Sequence, residues 1–313
     1  MEGPVTQRPS ALSASSVLVL VFACISWSRV ASAQPPATPP STDPPPVVLT
    51  AQTPSTTDDP AALDPLEADF EIVNLPTTLR LPVHKWNFHL THRFNQNLIC
   101  EEFEENCFGH RLQTLFGIDT GANIGLEFRF GVVRNLQAIV LRTSLSQIIQ
   151  MSLQYDALHQ NANRPVSISG IVSIEGDHNF GASTPDTDTT HYSPALGVVV
   201  SRKIANRLAV YVEPFWVHNT AAEGLPKRDT GFVGVGGRLR LSKSVQLVGD
   251  VAPRVGGLAL RDPEFGFGIE KRVGGHVFSL TFTNSPGTTF RQIASGGNPN
   301  TLNFGFNLSR KFY

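Results

Sequence analysis

Along most of this chain, apolar and polar residues alternate one by one. In residues 301–312, Leu302, Phe304, Phe306, Leu308 and Phe312 fall on one face, and Asn303, Gly305, Asn307, Ser309 and Lys311 on the other. A repeat of two is the period of a strand with different surroundings on its two sides. Trp86, Phe88, Leu90 and Phe94 oppose Lys85, Asn87, His89, Thr91 and Arg93 in the same way. Ile124, Leu126, Phe128, Phe130 and Val132 oppose Asn123, Glu127 and Arg129, and Val166, Ile168, Val172 and Ile174 oppose Ser167, Ser169, Ser173 and Glu175. Phe278, Leu280 and Phe282 oppose Ser279, Thr281 and Thr283. The pattern predicts strands at 84–94, 121–132, 135–144, 146–156, 165–175, 193–203, 206–217, 230–241, 244–254, 264–272, 275–284 and 301–312. Residues 135–144 and 193–203 alternate less clearly, and Arg142 suits neither phase. No segment of useful length repeats with the helical period.

The connections sort by parity. Connections at 95–120, 176–192, 218–229, 255–263 and 285–300 are long, and those near Arg134 and at 204–205, 242–243 and 273–274 are tight. The third connection is too short for the trend and the fourth, 157–164, too long. A soluble sandwich has no reason to sort its loops in this way. A transmembrane barrel with both chain ends on one side does, because its turns are short on that side and its loops long on the other. The fold class expected is therefore all-β, a closed antiparallel transmembrane β-barrel of about 12 strands, within a range of 10–14, over residues 84–313. Trp86, Tyr155, Tyr192, Trp216 and Tyr313 lie near strand ends, where amphipathic rings favour the membrane interface. The terminal pair Phe312 and Tyr313 resembles the aromatic signal read by barrel-assembly machinery, although the apolar phase ends at Phe312.

Composition adds an export history. The apolar stretch Val17–Trp27 is followed by Ala31-Ser-Ala33, and Arg8 precedes it, so residues 1–33 read as a signal peptide cut after Ala33. Cys24 opens the alternative of lipoprotein processing, against which Phe22 is bulky. Residues 34–65 hold ten prolines and no basic residue, a composition that buries no core and reads as a linker on the periplasmic side. Residues 66–83 turn apolar again and either pack inside the barrel mouth or lie against its rim. Charge is balanced, 25 basic residues against 26 acidic, which gives no case for nucleic acid as a partner. Cys100 and Cys107, in an oxidising compartment, are expected to form a disulfide. The nearby acidic residues and His110 suit a solvated loop, so neither a metal nor a cofactor is expected.

The candidate functional residues are the charges that the pleat turns inward: Lys85, His89, Arg93, Glu127, Arg129, Glu175, Glu213, Arg238, Arg240, Asp250, Arg254, Glu270 and Arg272. They serve either as a salt-bridged filling or as a constriction for small polar solutes. Catalytic motifs are weak. Asp119-Thr-Gly121 occurs once, whereas aspartic-protease chemistry needs two carboxylates sharing a proton. The glycine-rich stretch 231–237 lies in a strand with no helix after it to cradle a phosphate. No catalytic residues are assigned. The expected surroundings are outer-membrane lipid, the assembly machinery and a small polar solute. A surface-binding scaffold is the alternative function, and a soluble periplasmic domain or a barrel hydrolase the third. The sequence does not set the oligomeric state.

Val73-Asn-Leu-Pro-Thr-Thr78, His89-Leu-Thr-His-Arg-Phe94, Leu115-Phe-Gly-Ile-Asp119 and Ala122-Asn-Ile-Gly-Leu126 resemble segments of an uncharacterised family of β-barrels from Gram-negative bacteria, a domain of unknown function. The family tends to have glycine after the His-Arg-Phe triplet, where this chain has Asn95. The resemblance spans about residues 70–313. It implies an outer-membrane barrel and brings no substrate or catalytic residue.

Overall fold

A computed structural model of the chain describes residues 66–100, 105–177, 192–220, 226–257 and 262–312. The export segment with Cys24, the proline-rich stretch 34–65 and Tyr313 lie outside these residues. The strands are β1 (Trp86–Asn97), β2 (Ala122–Val133), β3 (Leu136–Thr143), β4 (Ile148–Leu158), β5 (Ser167–Asp177), β6 (Tyr192–Ile204) and β7 (Leu208–Thr220). They continue with β8 (Arg228–Arg240), β9 (Val245–Ala252), β10 (Arg254–Gly256), β11 (Glu264–Val273), β12 (His276–Thr283) and β13 (Asn303–Phe312). Pro253, which has no N–H to donate, separates β9 from β10, and both pair with β8. They form one stave, so the sheet is a closed antiparallel barrel of 12 staves.

Closure runs through β1 and β13, in register from Trp86 opposite Phe312 to Arg93 opposite Gly305. The Trp86 and Phe312 rings stack at 3.7 Å across that seam. In hydrocarbon an unpaired backbone group costs several kcal/mol, and a closed ring of strands leaves none at an edge. Outward positions are apolar and exposed, among them Phe128, Val140, Met151, Leu153, Val172, Ile174, Leu196, Leu247, Phe267, Phe278 and Leu280. Trp86 and Tyr155 stand exposed at one end of this belt and Tyr192 and Trp216 at the other. The start of β1 and the end of β13 share one end of the barrel with the tight turns, which use Asn135, Ala205, Asn206 and Gly274 at positive φ.

The opposite end carries the longer connections. In the first, Cys100 is bonded to Cys107 at a Cα separation of 5.8 Å. Helix α1 (Cys107–Gln113) follows, then a turn at Leu115–Gly117 that packs against β1 and buries Phe94. The third connection is a single turn at Leu145–Gln147. The last contains helix α2 (Phe290–Ser295), capped by Thr289, whose side chain accepts from the N–H of Gln292. These two helices, of 7 and 6 residues, are too short to show a period in the sequence.

Candidate functional site

The barrel interior is occupied by the chain's own residues. Residues 66–83 enter from the turn end and rise as a hairpin. The N–H of Ile72 donates to the Leu75 carbonyl at 2.8 Å, and that of Thr77 to the Phe70 carbonyl at 2.7 Å. Residues 66–70 and 72–79 are all buried.

The wall grips the hairpin chiefly by its backbone. One oxygen of Asp250 accepts the N–H groups of Val73, Asn74 and Leu75, at 2.9, 2.9 and 3.0 Å. Hydrogen bonds to a charged group contribute about 1.5–3 kcal/mol each, so this contact is a main anchor of the tip. Arg93, fully buried, donates to the side-chain oxygens of Asn74 at 3.0 Å and Asn307 at 2.7 Å. Arg238 donates to the carbonyls of Asp69 (2.9 Å) and Glu71 and pairs with Glu270 at 3.1 Å. Lys311 Nζ donates to the Ala68 carbonyl at 2.7 Å. Gln154 and Gln137 donate to the carbonyls of Thr77 and Leu79, each at 2.9 Å. The Phe70 ring lies beneath the Arg129 guanidinium at 4.8 Å, with the Lys311 ammonium at 5.2 Å. Lower down, Glu67 pairs with Lys203 at 3.0 Å and accepts from the Tyr211 hydroxyl at 3.2 Å.

Glycines make the close approach possible. A Cβ on Gly234 would sit 2.6 Å from Leu75 Cδ1, one on Gly236 2.4 Å from Ile72 Cδ1, and one on Gly266 2.7 Å from Val73 Cγ1. The glycine-rich stretch 231–237 is thus a cradle for the hairpin tip. From the loop end, α2 folds in to meet it. Phe290 packs on Phe215 with ring centroids 4.6 Å apart. Ile72, Val73 and Leu75 share one apolar core with Phe290, Ile293 and Ala294 and with wall residues Val199, Ala209, Tyr211 and Phe232. Glu175 accepts from the Thr289 hydroxyl at 2.9 Å and faces Arg291 at 3.5 Å, and Gln150 accepts the Phe290 N–H at 3.0 Å.

Of the charges expected to face inward, His89, Arg93, Glu127, Arg129, Glu175, Glu213, Arg238, Asp250 and Glu270 are buried inside the barrel. Lys85, Arg240, Arg254 and Arg272 are half-buried near the barrel ends. Arg240 donates to the carbonyls of Ser242 and Asn206 in neighbouring turns, and Arg254 to the Ser295 carbonyl at the end of α2. The structure adds Asp69, Glu71, Asn74, Glu264, Asn307 and Lys311. The last three stand on the polar phase of their strands and were legible by that criterion. The others belong to the hairpin, whose position no strand period reports.

A tight polar knot joins the hairpin to β1 and β2. His89 Nδ1 lies 3.1 Å from Glu71 Oε2 and its Nε2 3.9 Å from Asp69 Oδ2. Arg129 reaches Glu127 Oε1 with both Nε and a terminal nitrogen at 3.2 Å. Burial would raise the pKa of Glu71, but facing His89 and Arg129 hold it below the ordinary carboxylate value.

A family model described as a membrane-bound β-barrel domain, DUF5777, matches residues 68–312. No curated protein sequence matches the chain. Solved structures to which the chain is similar include the KdgM porin in complex with disordered oligogalacturonate, with TM-score 0.46 and 9% identity over 73% of this chain and 99% of that one. The NanC porin gives 0.45 and 5% over 73% and 100%, and Omp33 of Acinetobacter baumannii 0.39 and 9% over 73% and 98%.

Proposed function

The chain belongs to the family of membrane-bound β-barrel domains matched over residues 68–312, and from that premise we propose that it is an outer-membrane passage for small polar solutes, held shut by its own residues 66–83. The observation that supports this reading best is the chemistry of the closure. Asp250, Arg238, Lys311, Gln137 and Gln154 hold the hairpin through its backbone N–H and carbonyl groups. Water or a polar solute can take over such hydrogen bonds, so the segment can leave without exposing an apolar wall on that side of the lumen. The solute moves through without covalent chemistry.

A second reading is a permanently sealed scaffold. It is favoured by the apolar core shared between the hairpin tip, α2 and strands β6–β8. Conductance in planar bilayers separates the two. The full chain is expected to be silent or nearly so, and a chain lacking residues 34–83 to conduct. If the truncated chain is folded and equally silent, the sealed scaffold is the correct reading.

A further inference from the structure

The knot between the hairpin and the first two strands has the composition of a metal site. We propose that Glu71, His89 and Glu127 bind a divalent transition-metal ion, with Zn²⁺ as the natural probe, and that this ion staples the inner segment to the barrel wall. Each of the three offers one ligand atom, and these atoms lie within 4.8 Å of one another. Tetrahedral Zn²⁺ with bonds of 2.0–2.1 Å spaces its ligands about 3.4 Å apart, and small rotations of two glutamate side chains close that difference. One imidazole nitrogen with carboxylate oxygens is a donor set that favours Zn²⁺ over Ca²⁺ or Mg²⁺.

Two further observations point to a ligand. His89 is 1% exposed, and neither ring nitrogen makes a hydrogen bond of good geometry, although both face carboxylates. The ligand oxygens of Glu71 and Glu127 lie within 4.8 Å of each other, both beside the His89 ring. Two carboxylates this close repel one another, and a cation bound between them offsets that repulsion. Arg129 addresses only Oε1 of Glu127, which leaves the other oxygen for a ligand role. Asp69, behind His89, is placed as the outer carboxylate that commonly orients a metal-bound imidazole. Metal binding needs the His89 imidazole neutral, so loading displaces any proton it carries. The site concerns how the hairpin is held and goes beyond the question of solute passage.

The test uses the full, untagged chain, refolded in detergent with Zn²⁺ and dialysed into metal-free buffer, with zinc per barrel read by atomic emission. The parent is expected to retain near-stoichiometric zinc. His89→Ala and Glu127→Gln should weaken retention about tenfold or more, whereas His218→Ala, at the exposed pair with Asp229, should not change it. Heat-modifiable gel migration reports whether each barrel has folded. Should either wall variant fail to fold, Glu71→Gln, which changes the inner segment and no strand, gives the same comparison. Folded parent without zinc, or zinc retained equally by parent, Glu71→Gln and His89→Ala, overturns the proposal. Because the readout is metal content, a silent barrel in bilayers leaves this result unaffected.

Discussion

Asp250 is the residue on which the hairpin tip hangs. Its single oxygen Oδ2 receives three consecutive backbone N–H groups, and no other side chain makes these bonds among the described residues. Asp250→Ala leaves three buried donors unpaired, each costing about 1–3 kcal/mol. The expected outcome is a folded barrel whose residues 66–83 have become cleavable by added protease, with Asp250→Asn intermediate because it keeps an acceptor oxygen. Gly236→Val probes the same contact sterically. A side chain there meets Ile72 at 2.4 Å, and overpacking of this kind costs about 1–3 kcal/mol. Glu71 gives the pH dependence its sign. Its pKa is lowered in the folded protein, so its contribution is present at neutral pH and lost as pH falls through that lowered value, below the ordinary 4.5. Limited proteolysis of the inner segment should therefore speed up at acid pH while the barrel persists.

At the scale of elements, the strands were legible because most of them separate an apolar outside from a polar inside. The pattern blurred at 135–144 and 193–203 for a physical reason. β3 turns Ile139 and Leu141 inward, and β6 turns Ala195 and Val199 inward, with apolar residues on the outer phase as well. β7 and β8 continue this inner apolar face with Tyr211, Phe215, Val217 and Phe232, against which the hairpin tip and α2 pack. A lumen that receives its own chain needs apolar surface, and period-two reading cannot tell that surface from lipid contact. Arg142 belongs to the outer phase at a strand end, where it donates to the carbonyls of Thr143 and Ile148. Helix α2 escaped notice because 6 residues carry a cap and too little repeat. Its cap gives a local prediction. Thr289→Ala removes the hydroxyl that both caps the helix and donates to Glu175, at a cost of about 1 kcal/mol for the cap alone. Hydrogen exchange should quicken at residues 290–295 and remain slow in β1 and β13.

For the molecule as a whole, closure of the sheet and occupation of the lumen are separate achievements. The sequence showed the first through alternation and loop parity, and left the second open because residues 66–83 repeat with no period. The two also differ in dependence. The Cys100–Cys107 bond lies in a loop beyond the strands, so its reduction is expected to leave heat-modifiable migration unchanged, while loss of the β1–β13 seam would abolish it. If the hairpin occupies the lumen, a thiol at its tip is shielded from solvent. In a full chain carrying Val73→Cys and Cys24→Ser, with Cys100 and Cys107 in their disulfide, the new thiol is the only free one. Val73 is fully buried. The folded barrel in detergent should therefore resist a water-soluble maleimide and react only after heat unfolding. Labelling in the folded barrel at the rate of an exposed thiol would mean that the hairpin tip lies open to solvent.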